Sequence, residues 1–362
     1  MALPMKKVGI LNFQYSNHNY GAVLQAAALE YICRNLGYDV RHLNYIPKKK
    51  ISLKGRVGQL LRKLGLRRTW KASRIENLEA FEKFRQAHIN RTKLIQSTKD
   101  FRAVAKSFDS VVVGSDQVWR PEFARDTTTF FLKYVPKGIH RIAYAASFGT
   151  ETWEQKSDIV LTKKVSEELQ KFKAISCREE SGVAICKEVF GVDATHVLDP
   201  LLVVDELFIE KIAEKSSIKS AAKLIYYKLD PDPGFQEDLK VIGSRFGCDA
   251  INIYVTDSRY HEYREVADWL ALILNAEVIV TDSYHCICLG LRFGKEVIFS
   301  PNKKRGQTRL DSLFKMLNVG TEPVSLDLNS MMFKLSVKED VKIRLEKECA
   351  NSIKFLRSAL KG

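Results

Sequence analysis

The sequence predicts an α/β protein with two domains, each built around a parallel sheet. The chain has 362 residues, more than the size at which a single hydrophobic core usually stops growing. Apolar strands alternate with helices in both halves, which is the order of right-handed βαβ units. Polar turns follow several strands at their carboxyl ends, where open α/β sheets bind ligands. We therefore expect two Rossmann-like domains whose parallel sheets face a cleft.

The first domain is predicted over residues 1–205. It opens with a strand, a polar turn, a helix that ends at Gly37 and a second strand, which together form one βαβ unit. Strands are predicted at 6–13, 38–46, 108–116 and 140–149, helices at 22–37, 75–88 and 153–171, and a strand, a charged turn and a helix within 174–191. The segment 195–204 is expected to hold the last strand and an exit loop.

The second domain is predicted over residues 206–336. Strands are predicted at 223–229 and 249–255, helices at 233–246 and 263–274, and a strand, a turn, a helix and a strand within 276–299. The terminal stretch 337–362 is predicted to form a charged helix that crosses back to the first domain.

The charge of the chain points to negatively charged partners. Its formal net charge is +15. A basic helical insertion is predicted at 48–90, and its part from Lys48 to Arg74 has eleven basic residues and no acidic one. Apolar residues recur there at helical spacing, so the helix can either lie on an anionic membrane surface or pack on its own domain. Nucleic acid is not expected as a partner, because Trp70 is the one aromatic residue in this stretch.

Hydropathy and cysteine spacing predict the compartment of the protein and whether it binds a metal. No run of 18 apolar residues occurs, and the chain goes directly into a strand, so we expect a cytoplasmic protein with a peripheral position at the inner face of the cell membrane. The seven cysteines contain no C-x-x-C pair, which favours reduced thiols and no metal site.

The residue most strongly indicated for chemistry is His285. It lies in a polar turn between a buried strand and a helix, beside Ser283, so it is expected at the carboxyl edge of the second sheet. A helix N-terminus there favours anionic groups. Arg309, in a stretch that also contains Lys303, Lys304 and Arg305, is the best second anion ligand.

The first domain offers a second set of polar side chains at strand ends. Arg178 can grip a carboxylate or a phosphate, and the competing explanation is an ion pair with Glu179, Glu180 or Asp199. The remaining candidates are the strand-end residues Ser115, Asp116 and Gln117 and the first-turn residues Asn17, Asn19 and Gly21. For these, the alternatives are a helix cap and an ordinary turn.

Several separated segments together resemble the polysaccharide pyruvyl transferase family. They are NFQYSNHNYGAVLQAAAL, VVGSDQVW, AISCREESG, VLDP, VIVTDSYHCICLGLRFGKEVIF and TRLDSLF. The resemblance implies a fold similar to GT-B glycosyltransferases, with the first domain on the acceptor side and the second on the donor side. It also implies pyruvyl transfer from phosphoenolpyruvate to sugar hydroxyls, without a cofactor, and places His285 and Arg178 facing the donor. Cys286 follows the histidine where the family often has glycine.

The expected chemistry assigns a role to each main candidate. A pyruvyl transferase must hold two anionic groups, supply a proton and stabilise the departing phosphate. Arg178 and Arg309 suit the anions, His285 the proton or the phosphate, and Asp116 the acceptor hydroxyl. Two other functions stay open: a GT-B-type glycosyltransferase that uses a nucleotide sugar, and a catalytically silent glycan- or lipid-binding protein.

Overall fold

The computed structural model describes residues 5–47, 79–124, 126–218, 222–255, 262–302 and 307–361. The predicted basic helix between Lys48 and Arg74 lies outside the described residues, and so do Lys303, Lys304 and Arg305. Within the part that the structure describes, no helix is both long enough and apolar enough to cross a bilayer.

The first sheet has six strands, all paired in parallel, in the order β2-β1-β3-β4-β5-β6. They are β1 (Lys7–Leu11), β2 (Asp39–His42), β3 (Ser110–Val113), β4 (His140–Ala146), β5 (Ala174–Cys177) and β6 (Thr195–His196). The strand β3 is buried along its whole length, as expected for a strand covered by helices on both faces. The observed strands are shorter than the predicted ones.

Helices cover both faces of this sheet. They are α1 (Tyr20–Asn35), α2 (Glu79–His88), α3 (Thr98–Ala105), α4 (Thr127–Phe130), α5 (Ile159–Leu169), α6 (Glu180–Glu188) and α7 (Pro200–Val203). The last of these is a correction, because we predicted an exit loop there. Asp199 accepts a hydrogen bond from the backbone N–H of Leu201 and Pro200 occupies the first helical position, and both features favour a helix start.

The second sheet also has six strands, in the order β11-β12-β10-β9-β7-β8. They are β7 (Leu224–Tyr227), β8 (Ile251–Asn252), β9 (Val278–Thr281), β10 (Glu296–Phe299), β11 (Gly320–Pro323) and β12 (Phe333–Ser336). The first four pair in parallel, whereas β12 is antiparallel to both β10 and β11. The sequence did not predict this antiparallel edge, because β11 and β12 are short and only one of their eight residues, Leu335, is buried.

The remaining helices are α8 (Glu206–Ala213), α9 (Phe235–Phe246), α10 (Val266–Asn275), α11 (Tyr284–Arg292), α12 (Thr308–Leu317) and α13 (Glu339–Leu360). The long helix α13 packs against the first domain, where Ser352 accepts a hydrogen bond from the backbone N–H of Leu198 over 3.0 Å. Cys349, from the same helix, donates its thiol proton to the carbonyl of Leu202.

Tyr20, at the start of α1, joins the two domains. Its ring stacks on Trp269 of the second domain with centroids 4.9 Å apart and planes within 4°. Its hydroxyl donates to the backbone carbonyl of Arg264 over 2.8 Å. The tyrosine is fully buried, so this contact removes a large aromatic surface from water on both sides of the junction.

Truncation of Tyr20 should therefore weaken the junction. We expect Tyr20→Ala to lower the free energy of unfolding by about 3–5 kcal/mol, the usual cost of removing a buried aromatic side chain. Tyr20→Phe keeps the stacked ring and loses the hydroxyl, so it should cost only about 1 kcal/mol. Urea denaturation measures both values. Equal losses for the two variants would show that the ring stack does not hold the junction.

Candidate active site

Charged side chains from both domains meet where the carboxyl ends of the two sheets face each other. The first domain contributes Asp116 after β3, Arg178 after β5 and Asp199 after β6, and the second contributes His285 at the start of α11 and Arg309 at the start of α12. Each of these five side chains is buried. The structure thus brings four of the predicted residues together, with Asp199 as a fifth.

Arg178 lies at the centre of this group and is 1% exposed. Its Nη1 donates to Asp199 Oδ2 over 2.8 Å and its Nη2 to Asp116 Oδ1 over 3.1 Å. Burial alone would lower its pKa, but the two aspartates raise that pKa above its usual value. The ion pair with Asp199, which was the competing explanation for this arginine, is therefore present, and Asp116 forms a second one.

Asp199 ties three neighbours together through one oxygen. Its Oδ2 accepts from Ser115 Oγ over 2.7 Å as well as from Arg178, and it lies 3.6 Å from His285 Nε2. Burial raises the pKa of a carboxyl group, but the hydrogen bond and charge of His285 and the charge of Arg178 outweigh it and hold the pKa of Asp199 well below its usual range. Asp199 is therefore an anion at neutral pH.

Asp116 has an unusual backbone conformation for a residue that is not glycine. Its φ is 81°, in the left-handed region, and such residues persist only when the surrounding structure enforces them. Burial raises the pKa of its carboxyl group, but the charges of Arg178, His285 and Arg309 lower it below the usual value. A strained anion at the end of a strand is typical of a functional position.

His285 sits against the first helix of the other domain. A methyl group at Gly21 would overlap the imidazole, so only glycine leaves room for the ring at this point of α1. The Nε2 atom lies 3.3 Å from Arg178 Nη1. Because an arginine only donates, a neutral His285 accepts there, and a protonated His285 can instead face Asp199.

Arg309 reaches the same site from the second domain. Its guanidinium carbon lies 5.4 Å from the centre of the Tyr284 ring, and that of Arg178 lies 4.7 Å from the same ring. Burial, followed by the charge of Arg178, lowers the pKa of Arg309 to about 10, while Asp116 and Glu179 oppose this change. Two buried guanidinium groups this close together favour an anionic ligand.

The other predicted site residues with polar side chains each bind a partner within the protein. Asn19 caps α1 by accepting from the backbone N–H of Ala22, and Asn17 Oδ1 accepts from Arg85 over 2.6 Å. Ser283 caps α11. Gln117 lies beside the group, where its Oε1 accepts from Arg120, and Ser115 binds Asp199.

Sequence reasoning did not assign three of the residues found here to the site. Asp199 was considered only as an ion-pair partner, although its position directly after a strand was a signal of the kind that singled out Asp116. Tyr284 gave no signal apart from its place before His285. Glu179 is fully buried and accepts from the backbone N–H groups of Phe148 and Gly149 with one oxygen, which no sequence pattern indicates.

The site is closed in this structure. The five charged residues are at most 7% exposed, and they line neither of two cavities, of about 760 and 570 Å³, in the described part of the chain. Among the described residues, no group of three or more His, Cys, Asp or Glu side chains is arranged to hold a metal ion.

Comparison with known proteins adds a family and a fold. A family model described as polysaccharide pyruvyl transferase matches residues 19–303, which include Asp116, Arg178, Asp199 and His285 but not Arg309. No protein of curated function matches the chain.

Three solved structures are similar to this chain to different degrees. A putative UDP-N-acetylglucosamine 2-epimerase from Listeria monocytogenes is 9% identical, with 98% of this chain and 91% of that chain covered and a TM-score of 0.50. The UDP-GlcNAc 2-epimerase of Methanocaldococcus jannaschii is 12% identical, with 87% of each chain covered and a TM-score of 0.45. The spinosyn forosaminyltransferase SpnP is 14% identical, with 98% and 95% covered and a TM-score of 0.39. At 9% identity the likeness to the Listeria monocytogenes protein concerns the fold alone. The predicted pair of parallel sheets is confirmed, apart from the antiparallel edge of the second sheet.

Removal of the Asp199 charge should leave Arg178 buried with only one carboxylate. We expect Asp199→Asn to lower the free energy of unfolding at pH 7 by about 3–5 kcal/mol, the usual cost of breaking a buried ion pair. The matched control is Asp193→Asn, which removes one partner of an exposed pair with Lys187 and should change little.

The same pair of variants has a pH signature. The native pKa of Asp199 is lowered, so its stabilisation is fully present above about pH 4, the range of an unfolded aspartate, and is lost as the pH falls through the native value. The difference between the wild type and Asp199→Asn, followed by urea denaturation, should therefore shrink below about pH 4. A difference that is small at pH 7 or independent of pH would contradict the ionised state of Asp199.

Proposed function

The chain belongs to the polysaccharide pyruvyl transferase family, and we propose that it transfers a pyruvyl group from phosphoenolpyruvate to two hydroxyls of a sugar. The product is a cyclic pyruvate ketal on a cell-surface or exopolysaccharide glycan or on its lipid-linked precursor. No cofactor takes part in this scheme. The donor and the ketal are the parts of the proposal that go beyond the family.

One observation carries the choice of donor. Arg178 and Arg309 come from different domains, yet their guanidinium groups lie near one aromatic ring beside His285. Phosphoenolpyruvate presents a phosphate and a carboxylate on the same carbon. Two guanidinium groups match that pair of anions, because each can form two parallel hydrogen bonds to an oxyanion.

The proposed reaction needs acid and base catalysis but no redox step. A proton adds to the methylene carbon of phosphoenolpyruvate, which becomes a methyl group and leaves positive charge at the carbon bearing the phosphate and the carboxylate. A sugar hydroxyl attacks that carbon and loses its proton. The second hydroxyl then attacks the same carbon and loses its proton. This step closes the ketal and breaks the bond to phosphate, which leaves as an anion.

The buried group can supply each of these functions. His285 can deliver the proton or stabilise the leaving phosphate. Its Nε2 atom faces both Asp199, which can pair with the protonated ring, and Arg178, which can donate to the neutral ring. Asp116 is an anion held by the positive charges of its neighbours. Arg178 is paired with Asp116 and Asp199, so the donor must compete with Asp116 for this arginine. Once the donor takes its place on Arg178, Asp116 can orient the acceptor hydroxyl or accept its proton, and separation of the domains would admit the donor to this buried group.

The acceptor side of the proposal rests on the sequence. A lipid-linked acceptor and peripheral contact with the membrane would give the basic stretch from Lys48 to Arg74 a role, but that stretch lies outside the described residues. Membrane contact stays a prediction, and binding to anionic vesicles tests it. A nucleotide-sugar glycosyltransferase and a silent binding protein remain as outcomes of the ligand experiment that follows.

Ligand-induced stabilisation tests the donor. Phosphoenolpyruvate at about 100 times its dissociation constant should stabilise the protein by about 2.7 kcal/mol, measured as a shift in thermal unfolding. Arg309→Met should reduce the shift measured at the same concentration of phosphoenolpyruvate, because it removes one of the two guanidinium groups at similar volume. Arg245→Met, on the exposed face of α9, is the control and should retain it. A shift with nucleotide sugars alone would replace pyruvyl transfer with glycosyl transfer, and no shift with either would favour the silent binding protein.

Turnover tests the role of His285. We expect His285→Gln to lower phosphate release from phosphoenolpyruvate, in the presence of a panel of glycan acceptors, by about 10²–10⁴-fold, the range for loss of a general acid. Phosphoenolpyruvate should still stabilise this variant against heat, because both arginines remain. Turnover close to that of the wild type would remove His285 from the mechanism.

A further inference from the structure

The Tyr284 ring lies within reach of both guanidinium groups of the site. The carbon at the centre of the Arg178 guanidinium is 4.7 Å from the ring centroid, and that of Arg309 is 5.4 Å away. Both distances are within the range of cation–π contacts. Tyr284 is 5% exposed, so water screens these contacts little.

The two arginines reach this ring from opposite sides of the domain junction. Arg178 follows β5 of the first sheet, whereas Tyr284 and Arg309 belong to α11 and α12 of the second domain. Burial is the main cause of the lowered pKa of Arg309, and the charge of Arg178 adds to it, so the two buried cations repel each other. The negative face of an aromatic ring offsets part of that repulsion at short range.

We propose that Tyr284 is a positioning residue that holds Arg178 and Arg309 on one aromatic ring, so that both guanidinium groups bind the two anionic groups of a single donor molecule. This inference rests on the proposed use of phosphoenolpyruvate. The ring acts through the arginines and not on the substrate. A residue in this role must be aromatic, whereas its hydroxyl group is dispensable.

The test compares phosphoenolpyruvate binding among variants at position 284 by isothermal titration calorimetry. Tyr284→Phe keeps the ring and should bind within about twofold of the wild type, and Tyr284→Leu removes the ring and should bind at least about tenfold more weakly, a loss of about 1.4 kcal/mol. Tyr226→Leu, at a half-buried tyrosine of β7 that packs on Phe235, is the control for loss of an aromatic ring elsewhere. It should bind as the wild type does.

Two further measurements separate a direct role from damage to the fold. Incorporation of pentafluorophenylalanine at position 284 keeps the ring shape and removes its negative face, so it should weaken binding about as much as Tyr284→Leu does. In the Arg309→Met background, Tyr284→Leu should cost less additional affinity than it does in the wild type, because one of its two partners is already gone.

The outcomes separate the two proposals. Failure of the wild type to bind phosphoenolpyruvate would overturn the proposed donor and this inference together. If the wild type binds phosphoenolpyruvate and the variant with the fluorinated ring binds it equally well, the role of Tyr284 alone is overturned. If Tyr284→Leu does not fold, the fluorinated variant decides the matter.

Discussion

The buried guanidinium group of Arg178 is the constraint on which the rest of the site depends. Removing such a charge from water costs several kcal/mol, and only close, hydrogen-bonded counter-charges offset that cost. Asp199 and Asp116 provide them at 2.8 and 3.1 Å, from the ends of two other strands of the same sheet. The ends of β3, β5 and β6 must therefore lie close together. At the end of β3, Asp116 meets this requirement with a left-handed backbone conformation, in which φ is 81°.

The second domain completes the group through contacts that tolerate little change. Gly21 lets the imidazole of His285 lie against α1, while Tyr20, one residue earlier, stacks on Trp269 and so sets the relation between the domains. The residue that makes room for the histidine and the residue that holds the junction are thus neighbours on one helix turn. A rotation of α1 would disturb both, which couples the closed domain arrangement to the geometry at His285.

The burial of the charged site affects how a substrate can bind in the proposed reaction. Arg178 is paired with two aspartates within a site that water barely reaches, so in the proposed reaction an anionic donor exchanges an existing ion pair for a new one. In that scheme the donor displaces Asp116 from Arg178, and the carboxylate of Asp116 can then act on a hydroxyl group of the acceptor. Until the substrate binds, the buried ion pairs hold the guanidinium group of Arg178 in position and keep it away from ions in the solvent.

The sequence by itself determined the two mostly parallel sheets and the strand-end positions of Asp116, Arg178 and His285, because hydrophobic periodicity and polar turns are local features of a chain. It did not determine the helix α7 or the antiparallel edge formed by β11 and β12. It also indicated the turn at Asn17 and Asn19, but whether these residues cap a helix or bind a ligand depended on what surrounds them. Only the tertiary structure decided that Asp199 bridges Ser115, Arg178 and His285, and that Tyr284 lies beside both arginines. Those contacts join residues far apart in the chain, and their energies come from burial and charge pairing that exist only after the two domains have packed together.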